Sequence, residues 1–275
     1  MAGFFGFFDY TKPGKGVEKE EFKPNLKTFF RVFFERFWKL IQLNVIYFIF
    51  SLPLIAVIFA FVPTGQDEDK LIGIYKVCVG GLLYLSIIGL APVITGFTYV
   101  LRNFTSDRHA WVLSDFFEHI KKNFKQAMLV FLIDLAVSLI IPFVYNFYSA
   151  VITAPAEVAN PLLQNASFIA RTIIVLFASI YFIMHFYIYN IMITFNLTVK
   201  QILKNSLIFA LAHLPRNIGV LALAALIAML TFGYNIEIGI LLSFLITPAL
   251  ISYTVNFIIQ PVIKKHMIKT QDDSA

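Results

Sequence analysis

The chain has 275 residues, of which 59% are hydrophobic and only 14% charged, and its formal net charge is +6. Soluble domains carry roughly a quarter charged residues, so this composition excludes an ordinary soluble domain and points to long apolar helices in a membrane. The period-two alternation of a transmembrane β-barrel is missing, and one cysteine, Cys78, leaves no internal disulfide framework and no Cys-rich metal site.

Residues 1–24 mix glycine, proline and charge, which is loop chemistry, although the FFGFF start is apolar enough to touch a membrane or pack under a bundle. The first 38 residues are too charged for a cleaved signal peptide, so the first span is expected to stay in the membrane. Residues 26–38 place Lys27, Thr28, Arg31 and Glu35 on one side of a helix and Phe30, Phe33, Phe34 and Phe37 on another, with Trp38 at the end. This is the pattern of an amphipathic helix lying in a membrane surface, with Lys27, Arg31, Phe34, Phe37 and Trp38 as its candidate contacts. Rings interleaved with cations also suit nucleic acid. Burial of the rings in the interface and pairing of the cations with lipid phosphate explain them more economically, so anionic headgroups are the expected partner and nucleic acid is not. Docking of this helix in a groove of another protein is the alternative.

Six spans are expected in one all-α membrane domain. They run at about 40–62, kinked by Pro53; 77–101, irregular at Gly89, Pro92 and Gly96; 127–152, interrupted near Pro142; 168–195; 217–233; and 238–259, with Pro248 inside and Pro261 as a stop. Between them lie an exposed turn at 63–70, a surface helix from about Leu113 loosely capped by Ser114, a connector at 153–165 and a basic segment at 196–217. A hairpin at Asn235 and Glu237 follows, and 260–275 form a polar tail. With the N-terminus inside, nineteen of the 22 Lys and Arg residues fall on the inner side, leaving only Lys70, Lys76 and Arg171 outside. That split predicts a multi-pass protein with both termini cytoplasmic. Each pair of spans follows a basic helix, and APVITG from Ala91 echoes TPALIS from Thr247, so a threefold plan is conceivable.

Motifs of soluble enzymes are missing: there is no glycine-rich phosphate loop, no HExxH and no nucleophile elbow. None of the five histidines has metal-ligand spacing, so no enzymatic activity, metal or other cofactor is expected. Polar residues inside spans are costly and therefore informative. Asp134 lies roughly 12 Å and His185 roughly 15 Å from the inner ends of their helices, at 1.5 Å per residue. They form, with Asn190, a candidate intramembrane polar site. Such a group serves either a proton relay or substrate path, or simply locks helices together by hydrogen bonds.

Four stretches carry a resemblance: FWKLIQLNVIYFIFSLP from Phe37, GLAPVITGFTYVLRNF from Gly89, DFFEHIKKNFKQAM from Asp115 and YNIMITFNLTVKQILKNSLIFALAHLPRN from Tyr189. In these the chain resembles the YesL family of small bacterial integral membrane proteins. It departs from the family after SLP, where LIAVIFAFVPTGQDED replaces a shorter turn containing Thr and Gly. The family has no established site residues, and its genes often lie beside those of carbohydrate uptake systems. The resemblance thus implies a bacterial plasma-membrane protein, non-enzymatic, that assists permease subunits of a sugar uptake system. The alternative is a small-solute transporter of sugar type, with Asp134, His185 and Asn190 lining its path.

Overall fold

The computed structural model describes residues 25–60, 62, 70–155 and 160–268. The FFGFF start, most of the 63–70 turn and the end of the polar tail lie outside the described residues. In chain order the helices are α1 (Leu26–Glu35), α2 (Phe37–Phe50), α3 (Leu52–Phe59), α4 (Lys70–Ile87), α5 (Ala91–Thr105) and α6 (Val112–Ile152). They continue with α7 (Pro161–Met192), α8 (Val199–Ala212), α9 (Leu214–Thr231), α10 (Ile236–Leu245) and α11 (Thr247–Ile263), closed by a π-helical turn at Lys264–Ile268. No strand occurs among the described residues. Among the described residues four helices, α4, α6, α7 and α9, are long and apolar enough to cross a membrane; α2 with α3 and α10 with α11, bent by 66° and 59°, raise the number to as many as six if each pair counts as one span. The protein is an all-α, multi-pass helical bundle.

Proline sets where the helices restart. Pro53, Pro92, Pro215 and Pro248 each stand second in a new helix, α3, α5, α9 and α11. In the first turn a backbone N–H has no intrahelical partner, so proline loses nothing there, and its fixed φ suits the helix. The expected second span is accordingly not one helix. It breaks at Ile88–Leu90, where Gly89 adopts φ +60°, a conformation that a side chain would resist. A Cβ there would also strike the Tyr47 hydroxyl.

Other boundaries differ from expectation. The interfacial helix at 26–38 is interrupted at Arg36, and its aromatic face divides: Phe29 and Phe33 pack inward on Tyr253, while Phe30, Phe34 and Trp38 face outward. The surface helix near Leu113 is not separate but forms the first turns of α6. Ser114 caps nothing there; the Asp115 carboxylate accepts from Trp111 N–H at 2.9 Å instead. Pro142 does not interrupt α6, which runs unbroken for 41 residues, about 60 Å. Pro261 does not stop α11.

The centre of the bundle is α5 beside α11, both buried along nearly their whole length. Gly96 lets α5 approach α6 closely, because a Cβ at that position would meet the Phe116 carbonyl. The charged ends of α1, α5, α6, α8 and α11 define a basic end. The opposite end holds the start of α4, the α9–α10 turn and the tip of the α6/α7 hairpin. Asn235 begins α10 there by accepting from Ile238 N–H at 2.7 Å.

Candidate functional site

Each helix break inside the bundle frees backbone groups that lipid cannot satisfy. Side chains from other helices take them up. At the α4–α5 break the Tyr47 hydroxyl donates to the Leu85 carbonyl (2.6 Å), Ser252 to Ser86 (2.5 Å) and Tyr189 to Ile88 (2.7 Å). At the α10–α11 break one amide serves both helix ends. Asn44 Nδ2 donates to the carbonyls of Ser243 and Phe244 (3.0 and 2.8 Å), and Oδ1 accepts from Ala249 N–H at 2.8 Å. Asn217 does the same for α8: it donates to the Phe209 and Ala210 carbonyls and accepts from the Tyr187 hydroxyl at 2.7 Å.

The candidate intramembrane site lies on this framework, between α6 and α7. Asp134 and His185 meet as their depths suggest: His185 Nε2 is 3.0 Å from Asp134 Oδ1. Tyr181, one turn before His185, donates its hydroxyl to the same carboxylate oxygen. His185 Nδ1 lies 3.0 Å from the Tyr181 carbonyl, which only accepts, so Nδ1 carries a hydrogen. All three residues are buried, and Asp134 Oδ2 has no protein partner among the described residues.

Asn190 is not part of that cluster. Its Nδ2 donates to the Phe186 carbonyl at 3.2 Å, and its Oδ1 is buried and unpartnered. It lines a cavity of about 20 Å³ with Ser86, Thr98, His185, Ser252 and Asn256. Asn256 repeats the arrangement, its Nδ2 on the Ser252 carbonyl at 2.7 Å and its Oδ1 unpartnered. Two amide oxygens thus face a space large enough for a water molecule. The other sizeable cavity, about 60 Å³, is apolar and lies against Phe48, Ile55, Gly81 and Phe232. Both fall well short of the roughly 300 Å³ at which small-molecule pockets begin. Among the described residues no three His, Cys, Asp or Glu side chains converge as a metal site.

The membrane-surface candidates hold distinct places. Lys27, Arg31, Phe34 and Trp38 are exposed, Trp38 at 79%, and Phe37 is half-buried against Phe33. Arg31 is committed to an ion pair with Asp107 at 3.1 Å. Tyr181, Tyr47, Tyr189 and Asn217 are not evident as functional residues in the sequence. Tyr181 is recoverable from its spacing, one helical turn from His185. Tyr47 and Tyr189 stand in apolar runs and Asn217 in a basic segment, and all three acquire their role only when a helix end is placed beside them.

Comparison with known proteins finds no match among curated proteins and none among solved structures. A family model described as a protein of unknown function, DUF624, matches residues 40–145, from α2 through most of α6. YesL-type proteins carry DUF624, so this match, which covers the α2–α3 and α4–α5 breaks, is consistent with the resemblance of the chain to that family.

Proposed function

We propose that this protein is a non-enzymatic membrane partner, not a carrier, and that it docks through the outer part of the α6/α7 hairpin. The observation that supports this most is the contrast between interior and hairpin. The two cavities described between its helices hold no more than a few waters each. The hairpin presents Leu139, Ile140, Phe143, Phe147, Ile169 and Ile173, each more than half exposed. If the lysine-bearing turns of α6 up to Gln126 lie outside the bilayer, the rest of the helix is about 39 Å long. That exceeds a hydrocarbon core of about 30 Å. On this count the α6 residues from about Phe147 onward lie beyond the lipid chains, where another protein covers them better than water does, while Leu139, Ile140 and Phe143 lie at lipid depth and extend the same face into the bilayer. The partner we propose is a permease subunit of a sugar uptake system, on the strength of the gene neighbourhoods of the resembled family. The setting is the bacterial plasma membrane, both termini cytoplasmic, with the basic end towards anionic headgroups.

Crosslinking tests this. A photoreactive residue at Phe143 should capture permease subunits, and Leu139→Ala with Phe143→Ala and Ile173→Ala should abolish their co-isolation without lowering the melting temperature. Sugar counterflow by the protein alone in liposomes would overturn the reading.

One observation favours a second reading, a proton-coupled small-solute transporter. It is the Asp134–His185 bond together with the unpartnered Asp134 Oδ2 and the adjacent Asn190 cavity. Asp134→Asn should then abolish proton-coupled uptake while the protein stays folded. A purely structural lock instead predicts a stability loss of about 1 kcal/mol with transport-independent phenotypes.

A further inference from the structure

The basic end holds cations that have no counter-charge among the described residues. Beyond α5 the chain turns through Asp107, whose φ of +52° is the left-handed conformation glycine usually supplies after a helix. An aspartate stands there because its carboxylate is used. Oδ2 accepts from Arg31 at 3.1 Å and Oδ1 lies 3.8 Å from Arg36. Glu35 lies 3.7 Å from the same Arg31. The acidic groups of this corner are thus committed to the α1 side.

Arg102, Arg108 and Lys264 have no such partner. Arg102 Nη1 donates to the Thr194 hydroxyl at 2.7 Å, and its guanidinium stands 4.9 Å over the Tyr99 ring. Lys264 Nζ donates to Ser106 Oγ at 3.3 Å. Ser106 lies between the two arginines in the chain, so α11 delivers its lysine to the arginine-bearing end of α5. Lys264 lies within the field of both arginines, and Arg102 within that of Arg108. No carboxylate among the described residues pairs with any of the three. The helix dipole at the end of α5 offers about half a charge in return. Its last carbonyls already accept from Ser106, Asp107 and Arg108 N–H. Gln260 adds an amide, because its Oε1 accepts from Ser106 and Thr105 while Nε2 keeps its hydrogens for another acceptor. Arg108 is exposed, so the cluster is open to a ligand.

We propose that Arg102, Arg108 and Lys264, with the Gln260 amide, bind a phosphate-bearing anion at the basic end of the bundle. Two planar guanidinium forks and an ammonium are the side chains that match phosphate oxygens. Anionic phospholipid headgroups and free phosphate share this chemistry. The site is independent of the docking proposed for the hairpin.

The test uses the full-length protein in phosphatidylcholine nanodiscs. Phosphatidylglycerol is added to the disc in one arm and inorganic phosphate to the buffer in the other. Bound anion should raise the melting temperature by roughly 5 °C at saturation. A rise with phosphatidylglycerol alone assigns the site to a lipid headgroup; a rise with phosphate as well assigns it to free phosphate. Arg108→Gln, an exposed change that leaves the packing intact, should lose most of the rise, and R102Q/R108Q/K264Q all of it. Replacing the exposed Lys121, Lys122 and Lys125 by Gln should leave the rise unchanged. The proposal is overturned if neither anion stabilises the wild type, or if the α6 lysine variant loses as much as the Arg108 variant.

Discussion

The α4–α5 break and the passage of α6 through Pro142 treat the same problem in opposite ways. Both places contain residues that disrupt helices, and both lie in apolar surroundings where an unpaired backbone group is costly. At Ile88–Leu90 the helix gives way, and three side chains from α2, α7 and α11 receive the freed carbonyls. At Pro142 the helix holds, although proline has removed one of its hydrogen bonds. The neighbouring residues Ile140, Phe143 and Phe147 are exposed, and Tyr84 of α4 meets the Ser138 hydroxyl at 3.1 Å rather than a backbone group. A break is adopted where the packing supplies partners, and it is avoided where lipid is the alternative.

Removing a cap should break this comparison most severely. Asn44→Leu keeps the branched shape but leaves the Ser243 and Phe244 carbonyls and the Ala249 N–H without their side-chain partner inside the bundle. It should cost about 3 kcal/mol, read as a lowered midpoint of denaturant unfolding in detergent. Gly89→Ala should follow, at about 2 kcal/mol, because it combines an unfavourable φ with a clash against the Tyr47 hydroxyl that caps Leu85. An unchanged melting temperature for that variant would show that the α4–α5 break is not rigid. The smallest effect belongs to the hairpin. Pro142→Ala restores a hydrogen bond in a helix that is already continuous, and should change stability by less than about 1 kcal/mol, in the stabilising direction. A large loss there would mean that the proline bend is itself packed against something.

The residues differ in how openly they declare themselves. Asp134 and His185 were legible because a charge inside an apolar run is rare, and two such groups at equal depth have reason to meet. Helix rise places them at similar depth and lets them pair; that α6 and α7 pack with these faces together was decided by the fold. Tyr181 was legible in principle and overlooked, since its ring suits lipid contact as well as hydrogen bonding. Asn190 lies at a similar depth, yet its amide donates to its own helix, and it shares with His185 only the lining of a small cavity. Pro142 and Pro261 misled for a related reason. A proline marks where a helix is weak, but whether it ends there depends on neighbours that local sequence does not contain.

The sequence by itself determined that the chain is an all-α protein with several helices apolar enough to cross a membrane, and where its cationic stretches lie. Those properties follow from side-chain transfer energies and charge placement, which are local and additive along the chain. Only the tertiary structure decided which passages are broken, that Asn44, Tyr47, Tyr189 and Asn217 serve as caps, and that three cations converge at the end of α5. Each of these depends on side chains far apart in the chain reaching the same backbone atoms, so none is visible in any window of sequence short enough to show a helical period.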